Sequence, residues 1–254
     1  MNPPLPTISL LSLVVAFLPS LVLVVIMHRW SLRASTALWA NGRMLVQLLA
    51  VGYVLTYVFE TDRPLVIIGV IALMMGASAW IALRPLAEAG HRSYGLALFA
   101  IGASGLTMLT IVTQLVLDLP RWFEPSFVVP LAGMIFANTM NTVSLAAERY
   151  ESESGGGAAP ADARRVALDA SLIPQINGLL AVGLVSLPGM MTGQILSGVE
   201  PLVAVRYQIM VMCMVFGSGG IGAVIYLSLR SAAVAPSLGS GTAAGAAPGD
   251  GSRS

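Results

Sequence analysis

The chain has 254 residues, of which 56% are hydrophobic and 10% are charged, with a formal net charge of +1 and a mean hydropathy of +0.84. Soluble domains carry about a quarter of their residues as charged side chains, so this composition excludes an ordinary soluble protein and indicates one embedded in membrane lipid. The near-neutral charge also excludes a basic surface of the kind that binds nucleic acid.

The thirteen basic residues are all arginine, because the chain contains no lysine. An ordinary ATPase needs the lysine of a phosphate-binding loop, so we expect this chain to be no enzyme. Cys213 is the single cysteine and lies in an apolar run. A disulfide, or a zinc or iron–sulfur site built from cysteines, is therefore excluded within one chain.

Seven apolar runs set the predicted architecture, because a helix needs about 20 mainly apolar residues to cross a bilayer. We predict an all-α, polytopic integral membrane protein over residues 1–230. The predicted transmembrane helices are 7–27, 42–59, 65–82, 94–117, 127–147, 172–197 and 203–229. The sixth run contains Pro188 and Gly189, so the sequence leaves open whether it fully spans the membrane or is re-entrant.

Arginine placement predicts the orientation, because basic residues are enriched in cytoplasmic loops. With seven spans, ten arginines fall on one side of the membrane and three on the other. We therefore expect an N-terminus outside, a cytoplasmic C-terminus and a multi-pass protein of the inner or plasma membrane. Residues 231–254 are almost wholly Ala, Gly, Ser and Pro, which predicts a disordered tail.

In the second predicted span, Arg43 and Gln47 are spaced i and i+4 near the cytoplasmic end, so they share a helical face. We interpret them as gating or interface residues that contact the cytoplasmic loop through Glu148 or Asp169. The alternative, an arginine whose side chain extends to the membrane interface, fits the sequence equally well.

Polar residues follow one face of the fifth predicted span. Met134, Asn138, Asn141 and Thr142 follow one another at four, three and one residues, which places them on one helical face. Asparagine in hydrocarbon needs a hydrogen-bond partner. The stripe predicts the lining of a polar translocation path, and the alternative is hydrogen bonding between helices, worth about 0.6 kcal/mol per bond.

Residues 148–171 form the longest polar stretch between two spans and lie on the arginine-rich side. The run at 152–157 is rich in Ser and Gly and predicts a flexible loop. A short helix is predicted from Pro160, because proline suits the first helical position, where an N–H has no partner. We predict that a soluble partner docks on this cytoplasmic segment.

The sixth apolar run is interrupted by Pro188, Gly189, Met190 and Met191. Proline removes a helical hydrogen bond, and such a break persists in a membrane only where the freed carbonyls face protein or water. We interpret the break as a hinge or a constriction of the translocation path. The alternative is a kink at which two helices pack closely.

Sulfur-bearing side chains mark the last span. Met210, Cys213 and Met214 share a helical face, with Met212 beside them. Such ligands suit a soft metal ion such as Cu(I), but methionine more commonly fills gaps between packed helices.

Four segments resemble one transporter family. GRMLVQLLAVGYVL at 42–55, PLAGMI at 130–135, VGLVSLPGMMTG at 182–193 and YQIMV at 207–211 are similar to the FetB-type ABC transporter permeases, which include bacterial iron exporters and plant aluminium-tolerance permeases. The resemblance covers about 33–230. It implies a permease subunit that works as a homodimer with a separate ATP-binding cassette subunit.

The family resemblance also implies which subunit binds ATP and which forms the transport path. ATP and Mg²⁺ are expected in the partner chain, so this chain has no cofactor and no catalytic residue of its own. The segment at 157–165 is similar to the coupling motif of importer-type ABC permeases, which assigns ATPase coupling to Gly157, Ala158, Pro160, Arg164 and Arg165. Iron is the foremost expected cargo, although no metal ligands are assigned.

Three alternatives stay open on the sequence alone. An ion-gradient secondary transporter normally needs an Asp or Glu well within a span, and none is found there. A membrane scaffold needs no transport path at all. An ABC permease for a polar organic cargo such as a nucleotide sugar also stays open, because the spans contain no cluster of acidic or histidine ligands that would support a metal cargo.

Overall fold

The computed structural model describes residues 9–60, 63–86 and 90–239 of the chain. Within these ranges the protein is all-α, as the sequence predicts, with eight α-helices and a π-helical turn that continues the fourth. The helices are α1 Leu10–Arg29, α2 Ala34–Phe59, α3 Pro64–Ala82, α4 His91–Thr110 followed by the π-helix Ile111–Val116, α5 Pro125–Gly155, α6 Pro160–Ala181, α7 Gly189–Leu196 and α8 Pro201–Gly239.

Six of the described helices are long and apolar enough to cross a membrane: α1, α2, α3, α4 with its π-helical turn, α5 and α8. They correspond to six of the seven predicted spans. The second starts earlier than predicted, because Ala34 to Asn41 are helical too. Pro64, Pro125 and Pro160 each stand at the start of a helix, where their fixed φ fits and no N–H is needed.

The sixth predicted span, 172–197, is not one continuous helix. Its first part is the end of α6, residues 182–188 are not helical, and its last part is the eight-residue α7. Gly183 has a φ of +82°, which side-chain-bearing residues rarely adopt, and Pro188 cannot continue a helical ladder. The predicted break at Pro188 and Gly189 is therefore confirmed, although the helix before it already ends at Ala181.

The fifth helix and the last helix extend further than predicted. α5 continues through Gly155, so most of the expected flexible run at 152–157 is helical. An ion pair between Arg149 and Glu153, 2.7 Å apart and one turn apart, supports this extension. α8 continues to Gly239, where alanine favours helix over the disordered tail expected from 231; residues 240–254 lie outside the described part.

The chain divides into two compact units, residues 1–62 and 63–254. The first holds α1 and α2, whose large apolar side chains are mostly exposed, as in Leu11 and Tyr53. Ser9 caps α1 by accepting a hydrogen bond from the amide of Ser12 at 3.1 Å. In the second unit, α5 is central and packs against α3, α4, α6 and α8.

Glycines on α8 allow the helices of the second unit to approach closely. A Cβ added at Gly222 would lie 2.6 Å from Thr139 Cγ2 and 2.9 Å from Ser104 Oγ. At Gly219 it would lie 2.8 Å from Thr142 Oγ1. Small residues thus bring α8 against α4 and α5 in the way common between membrane helices.

Candidate translocation and coupling sites

The predicted polar stripe of α5 lines a pocket. Met134, Asn138 and Asn141 border a space of about 330 Å³ together with residues of α6 and α8. We call this space the asparagine pocket; its other lining residues are Pro174, Gln175, Gly178, Val211, Met212 and Val215. The predicted face of α5 therefore lines the asparagine pocket. No charged side chain is among the residues that line this pocket.

Hydrogen bonds show how the stripe is satisfied. Asn138 Nδ2 donates to the carbonyl of Met134 at 2.8 Å, one turn back on its own helix. Thr142 Oγ1 donates to the carbonyl of Asn138 at 2.9 Å. Gln175 Nε2 on α6 donates to Thr142 Oγ1 at 2.9 Å and so joins α5 to α6. Asn138 thus bonds its own helix, and Asn141 is exposed.

Sequence reasoning missed Gln175, although it is the residue that links the polar stripe to a second helix. Its signal was present, because a glutamine directly after Pro174 in an apolar run needs a partner as much as an asparagine does. The sequence gives no indication of which helix supplies that partner.

The break between α6 and α7 is a tight turn with its own hydrogen bonds. The amide of Gly183 donates to the carbonyl of Ser186 at 3.0 Å, and the amide of Val185 donates to the carbonyl of Ala181 at 2.8 Å. Leu184 and Val185 are 91% and 85% exposed. The segment therefore combines a non-helical backbone with exposed apolar side chains.

Two further pockets adjoin the asparagine pocket. One, of about 450 Å³, is lined by Met190 of α7 and Met134 of α5. The other, of about 360 Å³, is lined by Pro188 and Met191 and shares Met212 with the asparagine pocket. Gly189 lines none of these three pockets. The break residues thus lie beside the asparagine pocket and do not line it directly.

The segment at 148–171, which was predicted to be cytoplasmic, belongs to a helical hairpin. A turn at 156–159 joins α5 to α6, and Gly157 has a φ of +86°, which favours glycine. The amide of Ala158 donates to the carbonyl of Glu153 at 3.1 Å and closes the turn. α6 then begins at Pro160, which confirms the predicted helix start.

The first turns of α6 pack on the rest of the unit through alanines. Ala163 and Ala167 are fully buried, whereas Arg164 and Arg165 are exposed. The two arginines line a pocket of about 530 Å³ between α6 and α8. The predicted coupling residues therefore lie on one short hairpin, with two positive charges beside an open space.

An ion pair joins α5 to α8 next to this hairpin. Nε and Nη2 of Arg230 each lie 2.7 Å from Glu151 Oε1. Tyr150 and Tyr226 are buried, and their hydroxyls have no hydrogen-bond partner in the described part of the chain. Sequence reasoning missed this pair, because its members lie 79 residues apart and no local pattern connects them.

Comparison with known proteins identifies the family of this sequence. The family model of UPF0014, described as an uncharacterised protein family, matches residues 9–234. This chain belongs to the UPF0014 family. A UPF0014 membrane protein of Synechocystis, slr1647, is 39% identical over 193 residues, which are 70% of this chain and 74% of that protein. No solved structure matches the chain.

The name of one relative refers to transport. The Escherichia coli protein named "Probable iron export permease protein FetB" is 32% identical over 240 residues, 86% of this chain and 90% of its own length. Protein ALUMINUM SENSITIVE 3 of Arabidopsis thaliana is 28% identical, over 81% and 82% of the two chains. The resemblance to FetB-type permeases is confirmed, and the UPF0014 chain is a multi-pass membrane protein.

On α2 of this UPF0014 chain, the predicted interface pair is a local contact. With its amide oxygen facing the guanidinium, Gln47 accepts hydrogen bonds from Arg43 Nε at 3.1 Å and Nη2 at 3.2 Å. The guanidinium carbon also lies 5.4 Å from the centre of the Trp39 ring, within range of a cation–π interaction. A role of the two residues in gating stays a prediction.

Metal ligands are sparse in the described part of the UPF0014 chain. No group of three or more His, Cys, Asp or Glu side chains is placed to hold a metal ion there. The four sulfur residues of α8 do not come together. Met210 lines the pocket of about 450 Å³, Met212 and Cys213 line the one of about 360 Å³, and Met214 is buried.

Proposed function

We propose that this chain is the permease subunit of an ABC transporter, forming the translocation path and coupling to a separate ATP-binding subunit. One observation carries the proposal. α5 and α6 form both the cytoplasmic hairpin and, further along the same helices, two walls of the asparagine pocket. A partner that moves the hairpin therefore moves the pocket walls through the same two helices.

ATP hydrolysis belongs to the partner in this proposal. The chain has no lysine, which an ATP-binding phosphate loop requires, so ATP and Mg²⁺ bind to the partner subunit. A homodimer of permeases in the plasma or inner membrane supplies two hairpins for two ATP-binding subunits. The coupling residues are Gly157, Ala158, Pro160, Arg164 and Arg165, on the hairpin that projects beyond the apolar part of α5.

Transmission follows from the continuity of the helices. α5 runs unbroken for 31 residues from Pro125 to Gly155, so a tilt at its hairpin end also displaces Asn138. The ion pair between Glu151 and Arg230 carries the same displacement to α8. The non-helical segment at 182–188 lets α6 move without carrying α7 along. Alternating access then consists of opening the asparagine pocket to one side or the other.

Iron export is the proposed transport activity, because a relative 32% identical to this chain is named "Probable iron export permease protein FetB". A second cargo class is favoured by one observation. The asparagine pocket is lined by amide and apolar groups with no carboxylate or histidine, and a hard metal ion prefers carboxylate oxygens. A polar organic molecule such as a nucleotide sugar would use amides for hydrogen bonding instead.

Co-purification tests the coupling role. The variant Gly157→Glu with Ala158→Glu places charged side chains in the turn, and one of them at a φ of +86°. We expect this variant to insert normally but to lose capture of the ATP-binding subunit with which the chain is co-expressed. The control is Gly155→Glu, at the end of α5, where an added Cβ meets nothing within 4 Å.

Inverted vesicles that contain both subunits then test the activity. ATP-dependent uptake of ⁵⁵Fe(II) is expected with the wild type and the control, and no uptake with the turn variant. ATP hydrolysis by the purified permease alone contradicts the proposal, as does undiminished capture of the partner by the turn variant. Uptake of a radiolabelled nucleotide sugar in place of iron would retain the permease role and replace the cargo.

A further inference from the structure

Three sulfur-bearing side chains from two helices line one pocket. Met191 of α7 meets Met212 and Cys213 of α8 around a space of about 360 Å³; we call it the sulfur pocket. Methionine most often fills gaps in helix packing. Here, however, Cys213 is exposed and both methionines are partly exposed. The sulfur atoms therefore belong to residues that border an open space.

A buried polar group also borders the sulfur pocket. Gln208 is only 6% exposed, it lines the pocket, and its Oε1 has no hydrogen-bond partner among the described residues. Buried carbonyl oxygens are nearly always paired in folded proteins. The oxygen is therefore an unsatisfied hydrogen-bond acceptor on a residue in the wall of the sulfur pocket.

We propose that the sulfur pocket binds one soft monovalent metal cation of the Cu(I) and Ag(I) class. The cation replaces the proton of the Cys213 thiol, so that a sulfur–metal bond forms and one proton is released. The thioether sulfurs of Met191 and Met212 donate lone pairs to the same ion. The exchange needs no oxidant or reductant, because the metal keeps its charge.

Charge and softness select this class of ion. No Asp, Glu, His or Arg lines the sulfur pocket, so the Cys213 thiolate is the one anionic ligand there. A monovalent ion forms a neutral complex with it, whereas Fe(II) or Zn(II) would leave an uncompensated positive charge in apolar surroundings. Thiolate and thioether ligands also select Cu(I) over hard cations.

The site extends beyond the proposed transport function and stands independently of it. Met212 lines the asparagine pocket as well, so an ion in the sulfur pocket would lie next to the proposed path. Binding is therefore measured on the purified full chain without any ATP-binding subunit. Failure of the binding test leaves the permease proposal untouched, and failure of ATP-dependent transport leaves the metal site untouched.

The test is a Cu(I) titration against a chromogenic chelator under reducing conditions. We expect one equivalent bound by the wild type and none by Cys213→Ser. Met191→Leu and Met212→Leu, which nearly conserve volume, should each weaken binding about tenfold or more. Met210→Leu is the matched control, because it changes a methionine of α8 that lines the neighbouring pocket; its affinity should equal that of the wild type.

Two further measurements on the wild-type protein test the site even if a variant folds poorly. X-ray absorption on the wild-type complex should show a first shell of sulfur atoms only, and Ag(I) should protect Cys213 from a maleimide. Equal Cu(I) binding by Cys213→Ser, or unchanged binding by both Met191→Leu and Met212→Leu, overturns the proposal. The proposal is also overturned if Fe(II) or Zn(II) protects the Cys213 thiol from the maleimide to the same extent as Ag(I).

Discussion

Asn138 and Asn41 make the same local hydrogen bond in different places. Asn138 Nδ2 donates to the carbonyl of Met134 at 2.8 Å, and Asn41 Nδ2 donates to the carbonyl of Ala37 at 2.9 Å. Only Asn138 lines the asparagine pocket. Variants of the two asparagines therefore distinguish the contribution of such a bond to stability from a role of Asn138 in the translocation path.

We predict that Asn138→Leu and Asn141→Leu lower ATP-dependent transport about tenfold or more, because leucine removes the polar lining. The apparent unfolding temperature in detergent should change little, because Asn138 bonds only its own helix and even hydrogen bonds between membrane helices contribute about 0.6 kcal/mol on average. Asn41→Leu serves as the control and should transport normally. Wild-type transport by both pocket variants would show that the stripe is purely structural.

Gly222 and Gly220 provide a second matched pair. A Cβ at Gly222 would overlap Thr139 and Ser104, both buried, whereas a Cβ at Gly220 would meet Leu172 Cδ2 at an ordinary 3.6 Å. We predict that Gly222→Ala destabilises the protein by about 1 to 3 kcal/mol through overpacking. Gly220→Ala should be neutral or slightly stabilising, because alanine is the better helix former.

Thermal unfolding in detergent, followed by light scattering, distinguishes the two glycine variants. Only Gly222→Ala should show a lower unfolding temperature. A result in which both variants unfold like the wild type would mean that α8 does not approach α4 and α5 as closely as described.

At the level of the helices, two ion pairs of similar geometry differ in what they connect. Glu151 joins α5 to Arg230 of α8, and Glu153 joins Arg149 within α5, each at 2.7 Å. All four side chains are partly exposed, so each pair stabilises by less than about 1 kcal/mol. They differ in that only the pair of Glu151 with Arg230 links two helices, α5 and α8.

We predict that Glu151→Gln reduces the transport obtained per ATP hydrolysed, whereas Glu153→Gln leaves this ratio unchanged. The reason is that only the first change disconnects α8 from the hairpin. The charge exchange Glu151→Arg with Arg230→Glu should restore the ratio at least in part. Equal effects of both single variants on vesicle transport would mean that the ion pair has no special role in coupling.

Local sequence signals predicted one helix start and one helix face correctly, although α2 begins eight residues before its predicted start. Pro160 was expected to begin a helix and does, and the spacing of Met134, Asn138 and Asn141 correctly placed them on one face. Pairings between helices were not predictable. Glu151 with Arg230, and Thr142 with Gln175, lie 79 and 33 residues apart, and helical periodicity does not specify which helix a face will meet.

The sequence predicted the break at Pro188 but not the point at which the helix before it ends. The run 172–197 is long and apolar enough to be counted as a span, yet the helix stops at Ala181. Hydropathy is averaged over a window of many residues, whereas the end of a helix is decided by individual residues within that window. Here Gly183 with its positive φ and Pro188 interrupt the ladder.

For the whole molecule, α5 offers the most direct test of orientation. Ser126 and Ser152 lie near its two ends and are exposed. They are 26 residues apart, about 39 Å along a straight helix at 1.5 Å per residue, which exceeds the hydrocarbon thickness of about 30 Å. The two serines must therefore lie on opposite sides if α5 crosses the membrane.

We predict that a cysteine at Ser126 is labelled by a membrane-impermeant maleimide on intact cells, in a Cys213→Ala background. A cysteine at Ser152 should react only after permeabilisation, because the arginine distribution places the hairpin in the cytoplasm. Labelling at Ser152 in intact cells would reverse the orientation. Labelling of both positions from outside would mean that α5 does not cross.

The interrupted segment at 182–188 also implies uneven exchange of backbone protons with solvent. Amides within α5 are held in a continuous ladder, and many of their side chains are fully buried, such as Ile135 and Val143. The amides near Leu184 are held by a few local bonds beside an exposed surface. In deuterated buffer this segment should therefore take up deuterium long before α5, since local opening there breaks few contacts.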